Sequence, residues 1–172
     1  MNNKYPIKQA LVTGIVIGVF SITAFSIVDG LNHSKGWGYN PASIRGIIGL
    51  VVLVILGAGI YSAMQAVKRG NNGTLTYKQA FLSGLFTGIV TGVITAICGA
   101  VYCTLINPGY AAYMVAEGKK ALEAQGALTD NAVTALQQQF STGGQVVQAL
   151  IGQTVCGAVI SAIMSIFTRT KK

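Results

Sequence analysis

The sequence predicts an all-α integral membrane protein, a four-helix transmembrane bundle with an amphipathic helical segment between the third and fourth spans. Three observations predict it. Residues 80–106 run without a single charge, and a bilayer core asks for about 20 apolar residues, a few more when the helix tilts. Hydrophobic residues make up 52% of the chain and charged residues 9%, with a mean hydropathy of +0.58, whereas about a quarter of a soluble domain is charged. Three further apolar runs, at about residues 10–28, 44–67 and 146–168, each carry Lys or Arg at one flank. Residues 1–172 therefore read as a single four-span membrane domain in contact with the lipid bilayer.

The first span, 10–28, follows Lys4 and Lys8 and has small residues at Ala10, Gly14 and Gly18, on one helical ridge. Ala24-Phe25-Ser26 resembles a signal-peptidase site, but the apolar run exceeds a signal peptide's core, so a retained span is expected. Residues 29–43 read as a short polar loop, with Trp37 and Tyr39 placed for an interfacial aromatic belt and Asn40-Pro41 suited to a helix start. The second span, 44–67, has Gly49, Leu53 and Gly57 on one side and Gly59 and Ala63 on another, and both sides are expected to admit a close neighbour. Gly70-Asn71-Asn72-Gly73 forms a turn because Gly and Asn tolerate positive φ. Thr76 and Gln79 have capping-box spacing at the start of the third span.

That third span, 80–106, is the organising element. Gly84, Gly88, Gly92, Ala96 and Ala100 recur every four residues, a bare ridge suited to close helix packing, since helices in lipid associate by packing rather than by a hydrophobic force. Ser83, Thr87, Thr91 and Thr95 run beside it as a candidate polar lining; the plainer reading has their hydroxyls bonding back to their own helix. Asn107-Pro108 ends the span, because the residue before proline is disfavoured in the α region. Residues 109–144 are the long polar stretch. Two short helices are expected there, 111–124 and 130–140, broken at Gln125-Gly126 and stopped at Gly143-Gly144. Val133, Leu136 and Phe140 share one face of the second, which suits a cover over the bundle or the membrane surface. The fourth span, 146–168, carries Gly157, Ser161 and Ser165 on one ridge and ends in Arg169, Lys171 and Lys172.

Four spans divide the charges into two sets. Lys4, Lys8, Lys68, Arg69, Lys78, Arg169, Lys171 and Lys172 fall on one side without an acid; Lys35, Arg45, Lys119 and Lys120 share the other with Asp29, Glu117, Glu123 and Asp130. The positive-inside rule puts both termini in the cytoplasm and 109–144 outside. The net charge of +8 is thus an orientation signal, and no basic stripe with interleaved aromatics points to nucleic acid. Asp29 and Arg45 lie at the outer ends of spans, placed to pair with each other or with headgroups. A self-match links Lys8-Gln9-Ala10, Thr13-Gly14 and Gly18 to Lys78-Gln79-Ala80, Ser83-Gly84 and Gly88, the pattern of a parallel internal repeat.

The run Gly70 to Gly73 with Thr74 to Phe81, then Asn107-Pro108-Gly109-Tyr110, a polar segment and a basic-ended last span, resembles a family of small four-span bacterial inner-membrane proteins classed as a domain of unknown function. The resemblance implies a fold and a location. It supplies no catalytic residues.

The residues themselves supply little chemistry. His33 stands alone in the chain, the acids show no general acid–base spacing, and Cys98, Cys103 and Cys156 lack the spacing of a zinc site or a redox pair. No catalytic residue, cofactor or metal is expected, and the chain is not expected to be an enzyme. No ionisable group is expected deep in a span, where ion-coupled carriers usually keep one. The expected role is a non-catalytic accessory, scaffold or subunit of a membrane assembly, associating with itself or with another membrane protein through its small-residue ridges. The alternative is a small transporter, lipid translocator or oligomeric pore.

Overall fold

A computed structural model of the chain describes residues 6–35 and 41–170, with the backbone alone for 31–35 and 41–43. The element order is α1 (Ile7–Lys35), α2 (Pro41–Gly70), α3 (Tyr77–Val101) continued by a π-helical turn (Tyr102–Ile106), α4 (Tyr110–Ala124), α5 (Asp130–Phe140) and α6 (Thr142–Thr168). Among the described residues, four helices are long and apolar enough to cross a membrane: α1, α2, α3 with its π turn, and α6. The chain is an integral membrane protein, and the shorter α4 and α5 stand between the third and fourth spans. Trp37, Tyr39, Asn40, Lys4, Lys171 and Lys172 lie outside the described residues, as do the side chains of His33 and Lys35.

Local chemistry sets the element ends. α2 begins at Pro41, where a missing N–H costs nothing. After α2 the chain turns through Asn72 at φ 51° and Gly73 at φ 80°. Thr76 then closes a reciprocal capping box with Gln79, satisfying two free backbone donors. Thr170, just past α6, docks beside this turn: its N–H donates to the Leu75 carbonyl at 2.8 Å, and Leu75 N–H donates to Thr170 Oγ1 at 3.0 Å. α4 ends at Gln125 and Gly126 takes φ 65°, while Thr129 caps α5 through the Ala132 N–H.

Two expectations about element ends fail. Residues 29–43 are not a loop throughout, because α1 continues to Lys35 and Asp29 lies inside a helix. The carboxylate finds its partners on neighbouring helices, so it needs no exposed loop. Nor do Gly143-Gly144 stop α5. The chain bends two residues earlier at Ser141, whose extended backbone and hydroxyl cap α6 through the Gly144 N–H. The two glycines form the first turn of α6, where a Cβ on Gly144 would stand 2.0 Å from the Gln138 carbonyl oxygen.

Close backbone approach centres on α3. A Cβ on Gly88 would lie 3.0 Å from Gly157 Cα and 3.1 Å from the Gln153 carbonyl; one on Gly84 would meet Ser161 Oγ at 2.1 Å; one on Gly92 would meet the Leu150 carbonyl at 3.3 Å. These three bring α6 against α3. On another side α1 approaches, with Gly14 under Ile94 and Gly18 under Cys98. Gly59 of α2 sits against Thr13 of α1. The other expected approach to α2 is absent: a Cβ on Gly49 or Gly57 meets nothing within 4 Å. Ile17, Leu56, Ile60, Met64, Val67, Leu75 and Ala80 form the buried apolar core toward the α2–α3 turn. Opposite, Tyr102, Tyr110 and Met114 form a second cluster with Phe25, Tyr113 and Phe140 against it, so α4 and the end of α5 cover that end of the bundle. Leu136 packs on Gly118 of α4.

Candidate functional site

Asp29 is the centre of a polar cluster at that covered end. It is 7% exposed, and burying a carboxylate is costly unless hydrogen bonds and countercharge replace water. Three side chains supply them. Tyr102 Oη donates to Asp29 Oδ2 at 2.5 Å, Asn107 Nδ2 donates to the same oxygen at 3.1 Å, and Arg45 Nη2 lies 3.5 Å from Oδ1. Arg45 Nη1 donates to the Tyr110 hydroxyl, tying in α4. The guanidinium stacks over the rings of Tyr110 and Phe25, at 4.6 and 5.3 Å from their centroids. Burial pushes the Tyr110 phenol up, against a smaller opposing effect of Arg45, so Tyr110 keeps its proton at neutral pH.

The π turn makes this convergence work. Asn107 N–H bonds the Tyr102 carbonyl at 2.7 Å, an i→i−5 bond that widens the helix by one residue. Residues five apart are thereby stacked, and the Tyr102 and Asn107 side chains reach one carboxylate oxygen together.

Beside the cluster is a cavity of about 230 Å³. Its apolar wall includes Ile22, Ile48 and Val52, and its polar wall includes Ser21, Arg45, Thr95, Gln145 and Gln153. Cys98 and Cys103 also line it, both as free thiols. A groove of about 400 Å³ runs between α2 and α6 and shares Gly49, Val52, Ala149 and Gln153 with the cavity. Among the described residues no three His, Cys, Asp or Glu side chains converge as a metal site requires.

Residues 6–170 match the family DUF4199, described as a protein of unknown function. The chain belongs to that family. No curated protein and no solved structure matches it. Membership agrees with the resemblance carried by residues 70–81 and 107–110.

Within this DUF4199 chain the sequence-selected residues fall into two places. Gly84, Gly88, Gly92 and Ala96 are buried on α3, the three glycines against α6, and Gly14 and Gly18 of α1 pack on α3. Ser83, Thr87 and Thr91 are at most 1% exposed and line no described cavity; Ser83 and Thr87 donate to the Ala80 and Ser83 carbonyls. Thr95 alone of the four lines the cavity, while its hydroxyl bonds the Thr91 carbonyl. Asp29 and Arg45 come together, but inside a cluster that sequence reasoning did not assemble. Tyr102 and Tyr110 gave no signal of their own. Asn107 was visible only as a helix stop, although its spacing of five from Tyr102 before a proline was available as a cue.

Proposed function

We propose that the protein is a non-catalytic accessory or scaffold unit of a bacterial inner-membrane assembly, with both termini cytoplasmic and 109–144 outside. The observation that carries this reading is the closure of the Asp29 cluster: the buried acid is held by Arg45, Tyr102 and Asn107 and acts as a clasp between α1, α2 and the end of α3. A carrier needs a group that exchanges its partner during transport, and this one is engaged by three donors. The dry contact of α3 with α6 at Gly88 and Gly157 supports a rigid bundle over a conduit. The open outer face of α2 around Gly57 suits contact with a second copy or another membrane protein, because small residues let helices approach closely in lipid.

Purification in mild detergent, with the stoichiometry of what co-purifies, tests the assembly. Reconstitution alone in liposomes under pH and Na⁺ gradients is expected to give no flux. Gradient-driven flux that Thr91→Val abolishes would replace this reading with the transporter. Single-cysteine labelling at Ala127 from the outside only is expected for the orientation. A second reading, lipid translocation, is favoured by one observation, the cavity that adjoins the α2–α6 groove.

A further inference from the structure

At the basic end of the bundle, away from the Asp29 cluster, a groove of about 420 Å³ lies between α1 and α2, floored where Thr13 meets Gly59. Its walls are apolar, with Val12, Val16, Ile55 and Ala58, and Val12 and Val16 are exposed. Its rim is polar and consists of Lys8, Gln9 and Ser62. Among the described residues none of these three side chains makes a hydrogen bond or an ion pair. Ser62 lies inside the second span, and unlike Thr13, Thr87 and Ser161 its hydroxyl does not bond back to its own helix. Water is scarce within a span, so a partner for that hydroxyl comes with the lipid.

We propose that this groove binds an anionic phospholipid, its phosphate held by Lys8 and Gln9, an ester carbonyl accepting from Ser62 and an acyl chain lying along Val12, Val16 and Ala58. Charge selects the head. The four acids of the chain all lie toward the other end: Asp29 is about 30 Å along α1 from Lys8, and Glu117, Glu123 and Asp130 are on α4 and α5. An anionic head therefore meets Lys8 with no competing carboxylate, whereas a zwitterionic choline head finds nothing to take its ammonium. The dipole at the start of α1 adds to the positive potential, and basic pockets between spans suit anionic lipid heads. The chemistry is the same whichever side of the membrane this end faces. The chain also carries its own control. Lys78-Gln79-Ala80 repeats Lys8-Gln9-Ala10 at the start of α3, but there the Gln79 side chain is spent in the capping box with Thr76. α3 and α6 also meet backbone to backbone at Gly88 and Gly157. The lysine is kept there, but the seat beside it is closed.

The test uses the full chain in dioleoylphosphatidylcholine nanodiscs containing a minor fraction of dioleoylphosphatidylglycerol, with retained lipid read by native mass spectrometry. A diazirine-bearing phosphatidylglycerol maps the contact. The wild type is expected to retain phosphatidylglycerol over phosphatidylcholine and to take the photolabel on the α1 and α2 segments that border the groove. Lys8→Gln lowers that retention about fivefold, what one lysine beside an anionic head is worth. Lys78→Gln removes the same charge at the same end and leaves retention unchanged. Ala58→Phe fills the groove and abolishes retention, whereas Val54→Phe, on the same helix but 73% exposed and outside the groove, keeps it. Should Ala58→Phe fail to fold, the two lysine variants and the label map decide. Equal losses in Lys8→Gln and Lys78→Gln would reduce the effect to diffuse attraction toward a basic protein end and overturn the proposal. Equal retention of the two lipids, retention unchanged in a folded Ala58→Phe, or label spread evenly around the spans would each overturn it as well.

Discussion

The two halves of α3 use small residues to opposite ends. At Gly88 a Cβ would strike the backbone of Gly157, whereas at Gly99, three turns later on the same helix, a Cβ would meet nothing within 4 Å. In the first half the facing helix is bare as well, with Gly157 and Ser161 of α6 set against Gly88 and Gly84, so two backbones touch. In the second half Gly14 and Gly18 of α1 take up the Ile94 and Cys98 side chains, but nothing comes close to Gly99, and the space there goes to a cavity and to a cluster of long polar side chains reached through the π turn. Where its opposite number is also small, a small residue brings two backbones together; where a larger side chain faces it, as Ile94 faces Gly14, it makes a socket; where nothing faces it, as at Gly99, it leaves room.

Removing the acid from the polar half should have the largest effect. Asp29→Ala leaves the Arg45 charge buried and unpaired, and breaking a buried pair costs about 3 kcal/mol or more. The expected readout is a lowered melting temperature in detergent. Adding Arg45→Leu should recover most of the loss, and a double variant no better than the single would show that the two do not act as a unit. In the dry half, Gly88→Leu drives a side chain into backbone and should cost ~1–3 kcal/mol. Ile89→Leu, on the exposed neighbouring position, should stay within about 0.5 kcal/mol of wild type. Equal melting temperatures for Gly88→Leu and wild type would remove the distinction between the halves. Smallest of all, Gly99→Ala should be neutral or should stabilise by up to about 1 kcal/mol, since Ala is the better helix former and has open space there; a marked loss would mean that this half is packed too.

The dry half was legible in the sequence because a bilayer reduces the problem to length, hydropathy and a four-residue spacing of small side chains. The capping box at Thr76 and the turn at Asn72-Gly73 were legible for a similar reason, since each is written in adjacent residues. The polar half was not, because its parts come from three stretches of the chain: Asp29 on α1, Arg45 on α2, and Tyr102, Asn107 and Tyr110 around the end of the third span. The same distance explains the extension of α1 past Asp29, which local polarity marks as a loop and tertiary pairing keeps helical. Ser141 hid the start of α6, since two glycines read more strongly as a stop than one serine does as a cap.

The contrast between the halves is tested most directly by cysteine accessibility along α3 in intact membranes. In a background with Cys98, Cys103 and Cys156 replaced by serine, single Thr87→Cys, Thr91→Cys, Thr95→Cys and Gly99→Cys variants are exposed to a small, water-soluble thiosulfonate. Modification is expected at positions 95 and 99, which line the cavity, and not at 87 and 91, which are fully buried. Modification at 87 and 91 as fast as at 95 would mean that water runs along the ridge, and would contradict a bundle closed by direct contact between α3 and α6.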